Sequence, residues 1–248
     1  MADPMHQFKI ATLIPFHVGG VDLSFTNSSL WMLIGAVLSI VGLTIASERR
    51  AMIPGRIQVA GESLYNFVED LISDNIGGGA KQYFPLVFTL FVMVLMGNFL
   101  GMIPYSFTYT SHLAVTAALA LMVFFTVLVI GIARHGTHFF SLFVPPGVPG
   151  WLIWLVVLIE IVSFISRPIT LSVRLFANMV AGHVLMKVIA GFAIMFATAG
   201  GFAWLGTLLP VAFNIVMIGF EFFIAFIQAY VFAVLTCIYL KDTMHIDH

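Results

Sequence analysis

Charge is what this sequence has least of. Ten Lys and Arg and eleven Asp and Glu in 248 residues make 8% charged, where soluble domains carry about a quarter. With 61% hydrophobic residues and a mean hydropathy of +1.08, the chain cannot clothe a water-facing surface. A soluble globular domain is excluded, and a polytopic membrane protein is indicated. The net charge is -1, with no basic stripe or arm to displace a polymer's counterions, which excludes a nucleic-acid partner. Cysteine is nearly absent too. Cys237 stands alone in the last apolar segment, cannot form an intrachain disulfide, and reads as a small buried hydrophobe. The first residues are mixed and polar, so no cleaved signal is expected. Nor is there an internal repeat of the kind carried by transporters with inverted symmetry.

What the chain does contain is a succession of apolar runs. Residues 28–47 are an uncharged run of 20, enough for one helix across a core about 30 Å thick. The preceding segment, 1–27, is expected to lie outside the membrane. The run stops at Glu48, Arg49 and Arg50, and Pro54-Gly55 breaks the chain. Over 56–74, Ile57, Ala60, Leu64, Phe67, Val68, Leu71 and Ile72 recur at helical spacing between Glu62, Asn66, Glu69, Asp70 and Asp74, which predicts an amphipathic helix on the membrane surface. Gly77-Gly78-Gly79 ends it. No Asp, Glu, Lys or Arg occurs between Gln82 and Ala133, but Gly101, Pro104 and the polar cluster 105–112 divide that run into spans at 83–103 and 113–133, a transmembrane hairpin. Arg134, His135 and His138 fall on the same side as Arg49, Arg50 and Arg56, so the positive-inside rule places the amino terminus outside and the carboxyl terminus inside.

The run 145–150, rich in Pro and Gly, is a hard break before residues 151–241. There, two segments of roughly 40 residues, near 151–190 and 202–239, flank a turn at Ala199-Gly200-Gly201. A helix of that length would span about 60 Å, twice the bilayer core. It must tilt strongly or bend, and Pro168 and Pro210 offer places to bend. The expected fold is therefore an all-α membrane protein. It has five membrane-embedded helices plus one interfacial amphipathic helix, the last two helices being long, strongly tilted and paired as a hairpin.

Nearly every ionisable group at membrane depth belongs to that last hairpin. Arg174 is the most telling, because it keeps its proton at any physiological pH and costs at least about 3 kcal/mol at mid-membrane depth. No acidic residue lies within a turn of it on its own helix. Glu160, Arg167 and Arg174 are spaced by sevens, drifting only about 20° per step, so they share a face. Asn178 stays near that face, whereas His183 points to the opposite side. Asn214, Glu221 and Gln228, also spaced by sevens, form one stripe on the last helix. His183 and Glu221 are the natural proton carriers, since imidazole titrates near neutrality and a desolvated carboxyl can approach it. Arg174 can instead attract a partner's carboxylate and repel hydronium between two wet pockets. Plainer roles exist beside these. Glu160 and Arg167 read equally as a salt bridge near the membrane surface, with Arg167 snorkelling as Lys187 does, and Asn214 and Gln228 read also as helix-helix glue.

Two stretches carry a family resemblance. Gly97-Asn-Phe-Leu-Gly-Met-Ile-Pro104 resembles the second-span motif, and Ser166-Arg-Pro-Ile-Thr-Leu-Ser-Val-Arg-Leu-Phe-Ala-Asn-Met-Val-Ala-Gly-His183 the signature stretch, of subunit a of the F-type ATP synthases. The resemblance runs from about Ser28 to the end. It implies a stationary, non-catalytic subunit that gives two offset half-channels to a ring of c subunits, held by peripheral-stalk b-type subunits within the rest of the complex, with no cofactor of its own. Residue by residue, it makes Arg174 the arginine that engages the ring carboxylate and prevents a proton short circuit. Asn178 and Gln228 become its neighbours, and His183 and Glu221 line the outer half-channel in the swapped order of mitochondrial and related bacterial members. Glu160 falls to the inner half-channel. A bacterial inner membrane is the implied location.

The residues alone leave two other readings open. A secondary transporter or exchanger would use Arg174 to bind an anion or gate, and would act without partners. A haem-binding or quinone-binding subunit would need facing histidines within the membrane, whereas only His183 lies deep and His112, His135 and His138 lie near span ends.

Overall fold

A computed structural model of the chain describes residues 9–18, 21–22, 24–48, 55–77, 80–103, 106–136, 139, 143, 149, 151–199 and 201–244. Arg49, Arg50, Pro54, Gly78, Gly79, Pro104, Tyr105, His138, Gly200 and most of the 145–150 run, used above as boundaries, lie outside the described residues.

The architecture is α-helical. Among the described residues, five helices are long and apolar enough to cross a membrane. These are α1 (Asn27–Glu48), α3 (Phe84–Gly101), α4 (Leu113–His135), α5 (Ile153–Thr198) and α6 (Leu208–Met244), while α2 (Arg56–Ile76) is amphipathic. Thr26 caps α1, its hydroxyl accepting from the Ser29 amide at 3.3 Å. Gly77 closes α2 at φ 93°, a conformation suited to glycine, and its N–H donates to the Ser73 carbonyl at 3.1 Å.

Three features differ from the sequence reading. The amino-terminal segment forms four short strands, with β1 (Thr12–Ile14) antiparallel to β4 (Phe25–Thr26) and β2 (His17–Val18) to β3 (Val21–Asp22). At two or three residues each they are too short to show an alternating pattern. The first long helix continues to Thr198 rather than 190 and has 46 residues, against 37 in α6. At 1.5 Å per residue these are about 69 and 56 Å long, so neither stands upright in a core of about 30 Å. Pro168 is inside α5, but Pro210 is the third residue of α6, in the first turn, where a missing N–H breaks no helical bond. Pro210 therefore starts a helix and bends none.

The chain divides into two compact units, and α1, α3, α5 and α6 each contribute to both. The first takes residues 1–41, 93–112 and 175–229. At its centre is Tyr109, 2% exposed, in the link between α3 and α4. Its hydroxyl donates to the Met93 carbonyl at 3.1 Å. A Cβ on Gly97 would lie 2.5 Å from that hydroxyl, so only glycine lets the ring in. Burial pushes the Tyr109 phenol up to about 12.

The second unit takes 42–92, 113–174 and 230–248. The apolar face of α2, with Val68, Leu71 and Ile72, is buried, as are Leu90 and Phe91 of α3 and Phe232, Ala233 and Leu240 of α6. Phe67 meets the rings of Phe91 and Tyr230 at 5.6 and 5.8 Å. Thr116 of α4 and Ser172 of α5 share a buried hydroxyl contact of 3.1 Å.

Candidate functional site

Polar side chains of the last two helices converge in the first unit. His183 of α5 and Glu221 of α6 are 7% and 5% exposed, and His183 Nε2 lies 3.8 Å from Glu221 Oε1. That gap exceeds a hydrogen bond, yet places the two groups within each other's field. A close approach between α5 and α6 makes it possible. Gly182 has no side chain, and a Cβ there would fall 2.6 Å from Glu221 Oε1. Neither Glu221 oxygen has a hydrogen-bond partner among the described residues. An ionised carboxyl so placed costs free energy instead of holding the fold.

Two turns along α6, the same stripe makes a second link. Asn178 Nδ2 donates to Gln228 Oε1 at 2.9 Å, with Gln228 3% exposed. Asn98 of α3, fully buried, donates to the Ala225 carbonyl at 3.3 Å and ties that part of α6 to α3. Asn214 is half-buried, and its Oδ1 has no hydrogen-bond partner among the described residues. Glu221 and Gln228 thus both face α5, as residues seven apart should.

Arg174 belongs to the second unit and is exposed. Among the described residues no carboxylate forms an ion pair with it. Thr170, Ala177 and Ala181, on the same helix face by spacing, are exposed and too small to shield it. Its neighbour by sevens behaves otherwise. Arg167 Nη1 reaches Asp242 Oδ2 of α6 at 3.0 Å, with its guanidinium over the Tyr239 ring at 5.0 Å and the Phe164 ring at 5.6 Å. The salt bridge considered between Glu160 and Arg167 does not form. Seven residues of helix separate them by about 10 Å, and Asp242 takes the guanidinium. Glu160 is half-buried.

Sequence reasoning missed three residues around these polar groups. Thr108 Oγ1 lies 3.3 Å from His183 Nε2, but in the sequence it is one polar residue of the 105–112 cluster. Gly182 shows no signal except its place before His183. Asn98 was visible only inside the quoted second-span motif.

The family profile described as "ATP synthase A chain" matches residues 29–241. Similar curated proteins include "ATP synthase subunit a" of Rhizobium rhizogenes, 52% identical over 98% of this chain and 97% of the relative. The protein of the same name from Chelativorans sp. is 51% identical over 99% of both chains. That of Parvibaculum lavamentivorans is 48% identical over 99% of this chain and 95% of the relative.

Proposed function

Because the chain belongs to the ATP synthase subunit a family, we propose that it forms two offset half-channels against a ring of c subunits, with Arg174 as the barrier between them. Membership makes it a non-catalytic, multi-pass membrane subunit that translocates protons for the F-type ATP synthase. ATP is made or hydrolysed elsewhere in that complex, and the exchanger reading has nothing left to support it.

The carrying observation is Arg174, exposed on an apolar helix and with no ion pair among the described residues. A fixed cation within a membrane is stabilised by a carboxylate; no described residue supplies one, and a ring carboxylate arriving from outside the chain suits it. A proton enters from the outer side past His183 and Glu221, neutralises a ring carboxylate and rides the ring round. It leaves on the inner side as the ring carboxyl comes to Arg174. Arg174 releases no proton of its own; its fixed charge favours the ionised carboxylate, so the ring carboxyl gives up its proton while the two pockets stay apart. Asn178, four residues beyond Arg174, bonds Gln228 and holds α5 to α6, Asn214 extends the polar stripe, and Glu160 serves the inner half-channel. The His183/Glu221 pair favours protons over sodium, because imidazole is proton chemistry.

In the same reading the amino terminus lies outside and the carboxyl terminus inside a bacterial inner membrane. Helix α2 rests on the membrane surface, and b-type subunits of the peripheral stalk hold the chain still. The experiment is Arg174→Ala in the whole complex, read as ATP-driven acidification of inverted membrane vesicles, with co-purification of the other subunits as the assembly control. Pumping is expected to vanish while assembly persists. Normal pumping by the variant would refute the barrier.

A further inference from the structure

The His183/Glu221 pair has a third neighbour with no role assigned so far. Thr108, in the link between α3 and α4, is 4% exposed, and its Oγ1 lies 3.3 Å from His183 Nε2, the same atom that faces Glu221. That hydroxyl also donates to the Gly101 carbonyl at 3.1 Å. The Thr108 carbonyl accepts from Ser111 Oγ at 2.6 Å. A Cβ on Gly101 would lie 2.5 Å from Thr108 Cγ2 and 2.6 Å from Oγ1, so the seat fits this side chain only with glycine opposite.

We propose that Thr108 is a positioning residue for His183, a hydroxyl that holds Nε2 at its 3.8 Å separation from Glu221 whether or not that nitrogen carries a proton. A hydroxyl has one proton and two lone pairs. With a proton on Nε2, Thr108 donates to the Gly101 carbonyl and accepts from Nε2–H. With Nε2 bare, the hydroxyl rotates and donates to it. Only one hydrogen moves, so the imidazole keeps a partner throughout and has no reason to turn away. Glu221 of α6 is the carboxyl facing this nitrogen at 3.8 Å, and Thr108, neutral and on another element, holds the ring at that separation. The link between α3 and α4 thereby becomes a working part of the proton path.

The inference rests on the reading that His183 and Glu221 carry the proton. Its test uses two variants of opposite character in the complete ATP synthase. Thr108→Val keeps the shape and loses the hydroxyl, whereas Thr108→Ser keeps the hydroxyl and loses the methyl that packs on Gly101. ATP-driven acidification of inverted vesicles should fall about tenfold with Thr108→Val, the scale of one lost hydrogen bond to a charged group, and stay within about twofold with Thr108→Ser. Co-purification of the complex should be unchanged. In a His183→Ala background, Thr108→Val should add nothing to the residual rate. Normal pumping by Thr108→Val, or a serine variant worse than the valine one, would overturn the assignment and leave a packing role. If His183→Ala and Glu221→Gln themselves pump normally, it is the proton-path reading that fails.

Discussion

Gly182→Ala adds one methyl group where it matters most. The new Cβ would stand 2.6 Å from Glu221 Oε1 and 3.0 Å from its Cδ, where ordinary contact begins near 3.4 Å. The oxygen must therefore retreat by about 0.8 Å, and the carboxyl, as the far end of a flexible side chain, yields before two helix backbones do. An off-rotamer Glu221 costs about 1 kcal/mol, too little to unfold a chain held by five long helices. The consequence for transfer is larger. A separation already at 3.8 Å from His183 is disturbed by a distance comparable with the gap between contact and hydrogen bond. Misplacement on the order of 1 Å can cost about a hundredfold in rate. ATP-driven acidification of inverted vesicles is therefore expected to fall between ten- and a hundredfold, with the complex still co-purifying. Glu221→Asp in the same chain withdraws the carboxyl by one methylene, makes room for the methyl, and should recover part of the rate. Wild-type pumping by Gly182→Ala would refute the geometry, and so would strictly additive losses in the double variant.

Two further outcomes are expected. Glu221→Gln and His183→Ala should each impair proton access, and exchanging the two residues should restore more than either single change leaves; independent, additive losses of pumping would show that the residues act apart. Gly97→Ala should lower the yield and thermal stability of the assembled complex more than its specific pumping rate, because the added Cβ meets the Tyr109 ring within 2.9 Å and overpacking costs about 1–3 kcal/mol. A thermal melt of the purified complex unchanged from wild type would contradict that.

The helices were legible because a membrane demands long apolar runs, and their breaks are written in Pro, Gly and charge. The spacing of Asn214, Glu221 and Gln228 was legible for the same reason, since seven residues nearly close two turns. What neither helix contains is the register between them. That α6 presents Glu221 to His183 and Gln228 to Asn178 depends on close approaches set by glycines such as Gly182, whose signal is the absence of a side chain. Arg167 misled for a related reason. Its partner Asp242 is 75 residues away, beyond any argument from a single helix face. The strands of residues 12–26 were hidden by brevity, and Thr108 by the neighbouring polar residues that made 105–112 read as a loop.

The exposure of α5 bears on how the chain is made as well as on how it works. Only 17% of the helix's most apolar window is buried within the chain, and Arg174 stands on its uncovered surface. A newly inserted copy without its complex must hold that guanidinium against lipid, at a cost of at least about 3 kcal/mol, or draw the helix toward the headgroups. If Arg174 is the proposed barrier, electrostatics favours inserting this chain beside its carboxylate-bearing partner. On the proposed barrier role, an orphan copy is expected to be shorter-lived than one whose Arg174 meets a carboxylate of another chain.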